Sequence, residues 1–444
     1  MVPHGMTDGV AIRPCSRFRP YLLVVLAALP LVACLCLART AAGAEEPYPA
    51  KPRMAAQSAR AFGDSVGVNV HLASLPTSYG DFTTLEARLR ELGVRYVRDG
   101  ICPTCTYQIS RLKRLAAAGI RSNIIAGQLS DSTATLAGNL RAIRDLLPES
   151  VVSVEAPNEP DITGDPEWVQ HTRVFQQELY SRVKSDPRLA HLSVLGPALV
   201  NPSSPSALGN LAPYLDRGNS HPYPGGGTPL HNLAEVTLLA AAVSGTKPIV
   251  ATEAGYHSDL TTTGGHYPAS ERAIGIYMPR LALEGFRVGF ERTYVYELAN
   301  PWPDSSRPPN VSLAENSLGL LRGDLSRKPS FLALRNLLRT VTAGSAPVTT
   351  PGGLRLGLEG AGPDVRQQLL QSADGSYALV LWREVSVWDR VARRDLFPEP
   401  KRLEVVLGEP VALAQRFEPV ESDAELQRWT NPRRMAVDLS LIHI

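Results

Sequence analysis

The sequence lacks several features that would assign it to a class at once. Its 45 Lys and Arg nearly balance its 43 Asp and Glu, so no single-sign field favours a nucleic acid or a strongly acidic partner. It has no low-complexity tract and no repeat beyond an alternation of strand-like and helix-like segments. Apart from one run near the N-terminus, no stretch approaches the ~20 apolar residues of a membrane span. We expect a globular protein with a neutral partner, no nucleic-acid ligand and no integral membrane span.

The exception is the N-terminal segment. Three arginines precede an apolar run over 21–38, and small residues at 42–44 then offer a cleavage site. This order predicts a signal peptide over 1–44 and a secreted or periplasmic protein. An alternative stays open, because residues 31–34 (LVAC) resemble a bacterial lipobox, which would make Cys34 a lipid-anchored first residue.

Cysteines are scarce. Outside the targeting segment the sequence contains only Cys102 and Cys105, which form the motif Cys-Pro-Thr-Cys. A single pair cannot complete a four-ligand zinc site, and an exported protein meets an oxidising environment. We therefore predict a disulfide between Cys102 and Cys105 in the loop after the second strand.

What the sequence does contain is a regular alternation of apolar runs and segments with helical spacing. Leu85, Leu89 and Leu92, followed by Gly93, are typical of one such helix and its C-terminal stop. Eight strand-like runs are predicted. Seven lie at 65–72, 94–99, 120–127, 151–161, 192–198, 248–256 and 292–298, and the sixth strand ends with residues 219–223. Eight strand-helix units predict an α/β fold, a (β/α)8 TIM barrel, within 45–343.

After this alternation the period changes. Residues 344–444 contain short runs of apolar or alternating character, with Asp374-Gly375 between two of them as a hairpin turn. This pattern predicts a small C-terminal β-sandwich-like domain. The sequence stops in a strand-like run without a polar tail, so we expect a truncated or foreign C-terminus.

Two glutamates occupy matching places in the predicted barrel. Glu159 lies at the C-terminal end of the fourth strand and Glu253 at that of the seventh. The carboxyl ends of parallel strands in a closed barrel meet at one mouth, so the two carboxylates would face each other there. Such a pair suits glycoside hydrolysis, in which one carboxyl group donates a proton and the other attacks the anomeric carbon.

Three motifs in this order resemble a known family. Asn158-Glu159-Pro160, His221-Pro222-Tyr223 and Thr252-Glu253 are similar to the retaining glycoside hydrolases of clan GH-A. The final helix with a β-module behind it is similar to families 5, 39 and 30 of that clan. The resemblance covers about 66–382 and implies cleavage of β-glycosidic bonds by double displacement.

The resemblance also implies roles for individual residues. Glu159 would be the acid/base and Glu253 the nucleophile. Asn158 would donate to the sugar 2-hydroxyl, Tyr223 would hydrogen-bond to the nucleophile, and Arg98 would steady the nucleophile carboxylate. An arginine and a hydroxyl beside Glu253 would independently favour its ionised form.

Other polar residues at strand ends are further candidates for substrate contact. His221 is favoured because Tyr223 accompanies it. Glu297 either contacts the ligand or forms a supporting ion pair, and His71 either contacts sugar or is a satisfied interior group. Glu155 would point into the barrel and pair with an arginine, whereas Asp99 and Asp161 are more typical of loop caps.

Aromatic residues suited to sugar stacking are few. The predicted barrel contains only Trp168 and Trp302, and Trp302, in the loop after strand eight, is the candidate for substrate contact. Long crystalline glucans are usually held on aromatic platforms, so a shorter, soluble or substituted substrate is favoured, with Tyr256, His257 and Tyr294 as additional stacking candidates.

Metal catalysis is not expected, because His71 stands alone at strand one where metal-dependent barrel hydrolases place His-x-His. Two alternatives remain, a transglycosylase of the same fold and a barrel that only binds saccharide. We expect a monomeric enzyme without a cofactor or metal, acting on a β-linked glycan.

Overall fold

The computed structural model describes residues 48–263, 265–342 and 346–443. The predicted signal peptide over 1–44 and the alternative lipid anchor at Cys34 lie outside the described residues. Within the described ranges, no helix is long and apolar enough to cross a bilayer.

The strands, in chain order, are β1 (Arg53–Ala55), β2 (Gln57–Ser58), β3 (Val66–Asn69), β4 (Tyr96–Asp99), β5 (Arg121–Ile125), β6 (Val151–Glu155), β7 (Ser193–Leu195), β8 (Gly218–Ser220), β9 (Ile249–Ala254), β10 (Arg292–Val295), β11 (Gly353–Glu359), β12 (Val365–Gln371), β13 (Tyr377–Arg383), β14 (Trp388–Asp389), β15 (Arg394–Asp395), β16 (Lys401–Leu407), β17 (Leu413–Arg416), β18 (Gln427–Thr430), β19 (Arg434–Leu439) and β20 (Ile442–His443). The α-helices are α1 (Ala59–Asp64), α2 (Phe82–Leu92), α3 (Thr106–Ala117), α4 (Thr133–Leu146), α5 (Trp168–Ser185), α6 (Ser204–Leu208), α7 (Leu230–Ser244), α8 (Glu271–Arg287) and α9 (Pro329–Thr342).

The eight predicted barrel strands are β3 to β10, which form one parallel sheet in the order β7-β6-β5-β4-β3-β10-β9-β8. A parallel bridge joins Leu195 to Arg217, and the Gly196 N–H donates to the Arg217 carbonyl at 3.0 Å, so the two ends of the sheet meet. The prediction of a (β/α)8 barrel is confirmed.

Helix α2 shows how local sequence builds each unit. The Asp81 side chain accepts from the Thr84 N–H at its N-terminus, and Gly93 adopts a left-handed φ of 84° at its C-terminus. Leu85, Leu89 and Leu92 are fully buried and belong to the main core cluster. The apolar stripe thus packs the helix onto the barrel.

The fifth unit departs from this pattern. Helix α6 has only five residues, in a stretch that contains several prolines and serines between 201 and 209. Proline removes backbone donors and limits helix length.

The C-terminal strands form two four-stranded sheets, β1-β11-β16-β19 and β2-β12-β13-β20. The prediction of a barrel with a smaller β-domain is confirmed. The predicted boundaries placed 53–58 with the barrel, whereas β1 pairs with β11 and β2 pairs with β12. The chain therefore contributes to the β-domain before it enters the barrel.

Helix α8 carries the contacts between the β-domain and the barrel. Trp382 on β13 is fully buried and donates from Nε1 to Glu284 at 2.9 Å. Arg280 donates to the Val385 carbonyl at 2.9 Å.

Candidate active site

The predicted glutamates are presented by different kinds of backbone. Glu253 lies within β9, whereas β6 ends at Glu155 and leaves Glu159 in the following loop. Glu159 has a φ of 43°, a left-handed value that is uncommon for a residue other than glycine. It immediately precedes Pro160, which begins a 3-10 turn. The loop therefore places Glu159 beyond the strand end.

Glu253 is held by two donors. Arg98 Nη1 donates to its Oε1 at 2.7 Å, and the Tyr223 hydroxyl donates to its Oε2 at 2.6 Å. Burial by itself raises the pKa of Glu253, but nearby His221 and Arg98 and the Tyr223 hydrogen bond outweigh it and lower the pKa below its ordinary value. The carboxylate is therefore kept ionised.

Arg98 on β4 is the centre of a larger network. It is 2% exposed. In addition to Glu253, it donates to Asn158 Oδ1 at 2.6 Å and to Asn69 Oδ1 at 3.0 Å. Burial lowers the pKa of Arg98, and the carboxylates of Glu155 and Glu253 more than reverse this, so the guanidinium stays charged. One side chain thus fixes both the candidate nucleophile and Asn158.

Glu155 is the second carboxylate on Arg98. The two form a two-pronged pair, with both N···O distances at 2.8 Å. Asn123, Asn219 and Thr252 also donate to Glu155, at 2.7, 3.0 and 3.0 Å. The expectation of a buried carboxylate paired with an arginine is confirmed. Both Glu155 oxygens accept hydrogen bonds from protein donors.

Glu159 has a different environment. His221 Nδ1 lies 2.7 Å from its Oε1, and His221 Nε2 lies 3.0 Å from Thr252 Oγ1. Burial lowers the pKa of His221, but Glu253 and Glu159 raise it by more, so the net pKa lies above its ordinary value. The Glu159 side chain is 21% exposed, against 10% for Glu253. Glu159 is therefore the more accessible carboxyl group.

The two carboxylates are close together. Single ligand atoms of Glu159, His221 and Glu253 all lie within 4.8 Å of one another. Carboxyl groups of retaining glycosidases are about 5–5.5 Å apart, whereas those of inverting enzymes are about 6.5–9.5 Å apart. One oxygen of Glu159 thus lies within 4.8 Å of one oxygen of Glu253, which is closer to the shorter of these two separations.

The same three residues form the group in the described chain that could hold a cation. However, both Glu253 oxygens already accept from Arg98 and Tyr223, and Glu159 is paired with His221. A metal ion would have to displace these hydrogen bonds and lie beside the Arg98 charge. The donor set favours an acid and nucleophile pair over a metal centre.

Glu297 and His71 form a pair on the opposite side of the mouth. His71 Nε2 lies 3.1 Å from Glu297 Oε2, and the Tyr79 hydroxyl donates to the same oxygen at 2.8 Å. Glu297 is 1% exposed, whereas the His71 side chain is 38% exposed. The structure therefore places Glu297 as a supporting partner and His71 at the surface of the mouth.

A cavity of about 260 Å³ adjoins His71. Asp99 and Gln108 line it, and Gln108 donates to Asp99 at 3.0 Å. Burial raises the pKa of Asp99 to about 6, although His71 opposes the shift. Cys102 also lines this cavity, and the predicted disulfide with Cys105 is present. Asp99 thus lines this cavity, and its carboxylate also accepts a hydrogen bond from the Leu72 N–H.

The aromatic candidates are mostly inside the fold. Tyr294 is fully buried, and Tyr256 and His257 are 3% exposed, so the expectation that they stack on sugar is wrong. The backbone N–H of Trp302 donates to Asn316 at 2.9 Å. No hydrogen bond or ring contact among the described residues joins the Trp302 indole to Glu159 or Glu253, so its substrate contact stays a prediction.

Sequence reasoning missed several neighbours of the site. His266 stacks on Tyr223 with ring centroids 4.8 Å apart, and Tyr296 packs against His71 with centroids 5.7 Å apart. Glu315 is an exposed residue near the site, and partial desolvation together with the carboxylates of Glu297, Glu253 and Glu159 raises its pKa. His266 and Glu315 come from loops without a periodic pattern. The adjacency of Tyr296 to Glu297 was the only available signal.

No protein-family model matches the chain, and no curated protein sequence matches it. Solved structures do match. A glucosidase from Croceicoccus marinus is 12% identical with a TM-score of 0.54, over 89% of this chain and 96% of that one. The GH39 enzyme from Xanthomonas axonopodis pv. citri is 14% identical with a TM-score of 0.52, over 89% and 95%.

A third solved structure, a β-1,3-glucanosyltransferase from Rhizomucor miehei, is 19% identical with a TM-score of 0.46, over 62% of this chain and 97% of that one. The glucosidase and the GH39 enzyme each match over 89% of this chain. Their coverage extends over the barrel and the β-domain together. The chain has a fold similar to that of glycoside hydrolases of the GH-A type.

Proposed function

We propose that this protein is a retaining glycoside hydrolase that cleaves β-glycosidic bonds in oligo- or polysaccharides. The observation that carries the proposal is the approach of Glu159 and Glu253 to within 4.8 Å, atom to atom, at the mouth of the barrel. This spacing suits double displacement, because the second carboxylate must reach the anomeric carbon itself.

In the first step, Glu253 attacks the anomeric carbon while Glu159 gives its proton to the glycosidic oxygen. The carbon–oxygen bond to the leaving group breaks, and a glycosyl ester of Glu253 forms. Arg98 and Tyr223 favour this step by holding Glu253 ionised and oriented. The leaving group departs as an alcohol with the proton from Glu159.

In the second step, Glu159, now a carboxylate, removes a proton from water as the water oxygen attacks the anomeric carbon. The ester bond breaks and Glu253 is released as a carboxylate. Esterified Glu253 carries no negative charge, so the repulsion between the two carboxyl groups is absent while Glu159 is ionised. The pair therefore carries one negative charge at each stage before hydrolysis is complete.

A 2-deoxy-2-fluoro β-glycoside with an activated leaving group tests this mechanism. It should add one fluorosugar to the protein, detected as a mass increase, and peptide mapping should place the label on Glu253. Proton NMR of an ordinary substrate should show the β-anomer as the first product. A label on another residue, or initial release of the α-anomer, would overturn the assignment.

Transglycosylation shares the first step, since a sugar hydroxyl can replace water in the second. Product analysis with and without added acceptor saccharide separates the two outcomes. Hydrolysis predicts free sugar as the main product even with acceptor present. A non-catalytic barrel predicts saccharide binding without turnover of any substrate in a panel of aryl β-glycosides and β-linked oligosaccharides.

We also propose that the protein acts outside the cytoplasm. The disulfide between Cys102 and Cys105 supports this, because disulfides persist mainly in oxidising compartments. Cell fractionation with mass spectrometry of the mature N-terminus tests the proposal. Cleavage after residue 44 is the expected result, a lipid on Cys34 would support the anchored alternative, and an uncleaved cytoplasmic chain would contradict both.

A further inference from the structure

The hairpin formed by β14 and β15, in the C-terminal part of the chain, contacts the segment between β9 and α8. Asp395, in its second strand, accepts from the Ser270 hydroxyl at 2.6 Å, just before α8 begins. Arg393 donates from Nη2 to the Thr262 carbonyl at 2.7 Å, in the loop after β9. These contacts anchor the hairpin on the segment that follows the strand of Glu253.

Arg390, in the turn of this hairpin, makes two other contacts with the barrel. Its guanidinium lies 4.7 Å from the centre of the Tyr267 ring, in the loop after β9, and a cation is attracted to an aromatic face. Its Nη1 donates to His231 Nε2 at 2.9 Å, at the second residue of α7. One side chain therefore joins the loop after β9 to the start of the helix that follows β8.

The residues next to these two contacts hold Tyr223. His266, which precedes the tyrosine under Arg390, stacks on the Tyr223 ring with centroids 4.8 Å apart. Asn232, which follows the histidine that accepts from Arg390, donates from Nδ2 to the Tyr223 carbonyl at 2.9 Å. Tyr223 is thus held by its ring from the loop after β9 and by its backbone from α7.

The loops after β8 and β9 also touch directly, close to Tyr223. Gly226 has a left-handed φ of 71°, and a Cβ atom at this position would lie 2.5 Å from the Pro268 carbonyl oxygen. Glycine permits both the conformation and the close approach of the two backbones. A shift of either loop would therefore move the other, together with the Tyr223 hydroxyl that donates to Glu253.

We propose that Arg390 is a positioning residue for the nucleophile, which it serves by holding together the two segments that fix Tyr223. The aligned Tyr223 hydroxyl then orients Glu253 and favours its ionised form. The inference rests on the proposed function, because it takes Glu253 as the nucleophile. It gives the C-terminal domain a part in the reaction in addition to its packing on the barrel.

Replacement of Arg390 by methionine tests the proposal, because it removes the charge and the donors but keeps an unbranched side chain. Arg390→Met should lower kcat/KM on an aryl β-glycoside at neutral pH by up to about tenfold, the loss expected for the Tyr223 hydroxyl itself. A misaligned hydroxyl favours ionised Glu253 less, so the acidic limb of the pH profile should move upward. Arg390→Lys, which keeps the charge, should restore most of the activity.

Arg394, on the same hairpin, provides the matched control. Its side chain is 73% exposed and lies 3.9 Å from the Asp389 carboxylate. Arg394→Met should therefore match the wild type in both kcat/KM and the position of the acidic limb. A loss of the same size in both variants would show that any change to the hairpin has this effect, and would overturn the specific role of Arg390.

A double-mutant cycle separates positioning from a general structural effect. If Arg390 acts through Tyr223, Arg390→Met should change little in a Tyr223→Phe background, because the hydroxyl that it aligns is already absent. Equal losses in the wild-type and Tyr223→Phe backgrounds would overturn the proposal. An acidic limb that stays in place in Arg390→Met would do the same.

The positioning role and the glycosidase function fail in different ways. Wild-type turnover with an unaffected Arg390→Met variant overturns the positioning role and leaves the proposed function standing. If the wild type turns over no glycoside, the proposed function fails, and a carbon-13 NMR titration of the glutamate carboxyl groups decides the positioning role, with Glu253→Gln to assign the signal. A higher Glu253 pKa in Arg390→Met than in the wild type would support that role, and an unchanged pKa would overturn it.

Discussion

The two sides of the barrel mouth that carry Glu253 and Glu159 are built differently. Glu253 sits within a strand, accepts from Arg98 and Tyr223, and belongs to a network that also fixes Glu155. Glu159 sits in a loop, contacts His221, and borders a cavity of about 190 Å³. One carboxylate is held by a buried cation and a hydroxyl donor, whereas the other is more accessible from the mouth.

This difference matches the demands of the two chemical roles. A nucleophile must be ionised and aligned before attack, so fixed positive charge and a hydroxyl donor favour it. A group that first gives and then takes a proton must be accessible and free of a permanent cationic pair. The network around Arg98 therefore supports the proposed role of Glu253 more strongly than the position of either glutamate along the chain does.

The largest expected effect on activity comes from removing the charge of Glu253, the carboxylate that accepts from Arg98. Glu253→Gln keeps the size of the side chain but removes its negative charge, so no glycosyl ester can form. We expect kcat on an aryl β-glycoside to fall by about 10⁴-fold or more. Activity near the wild-type level in a preparation free of wild-type enzyme would show that another residue is the nucleophile.

The effect of replacing Glu159, the more accessible carboxyl group, should depend on the leaving group of the substrate. Glu159→Ala removes the proton donor, so kcat/KM on a poor leaving group such as an alkyl alcohol should fall about 10² to 10⁴-fold. With a good leaving group such as a dinitrophenolate, the first step should change little and the second should become limiting. Added azide should then restore turnover and give a β-glycosyl azide. Equal losses on both substrates would argue against Glu159 as the acid.

The same comparison explains what could be predicted from the sequence. The barrel strands were identified because buried apolar runs have local signatures. Arg98 and Tyr223 were singled out through the family resemblance. Glu155 was expected to pair with an arginine, but the sequence did not show that this arginine is Arg98. Strands β1 and β2 were not predicted, because they have only three and two residues and pair with strands far along the chain. So short an element has no period to detect.

The loop side of the mouth was less predictable. Whether Glu297 contacts ligand was left open, and its hydrogen bond from Tyr79, which is 218 residues earlier in the chain, could not be predicted. The same holds for the hydrogen bonds that join Asp161 to the loop after β7. Such contacts are set by how loops fold against one another. A sequence pattern of helical or strand period does not encode them.

The buried network also makes a prediction about stability. Glu155→Gln leaves the Arg98 charge without one of its two buried carboxylates, and breaking a buried ion pair costs about 3 kcal/mol or more. Chemical denaturation should show this loss in the free energy of unfolding. The same substitution at Glu178, which forms an exposed pair with Arg182 on α5, should change stability little. Similar losses for both variants would mean that the Arg98 network adds no special stability.

The smallest and most specific effect should come from Tyr223. The Tyr223 hydroxyl favours ionised Glu253, whose pKa lies below the ordinary value of 4.5. Activity that needs ionised Glu253 should therefore persist below that pH and fall as pH drops through the lowered pKa. Tyr223→Phe removes the donor but keeps the ring that stacks on His266.

With the donor gone, the pKa of Glu253 should rise, and the acidic limb of kcat/KM should move upward by up to about one pH unit. The rate at neutral pH should fall about tenfold, since a hydrogen bond to a charged group contributes roughly 1.5–3 kcal/mol. A pH profile on one aryl glycoside measures both quantities. If the rate falls while the acidic limb stays in place, Tyr223 acts by orienting Glu253 and Arg98 alone keeps that carboxylate ionised.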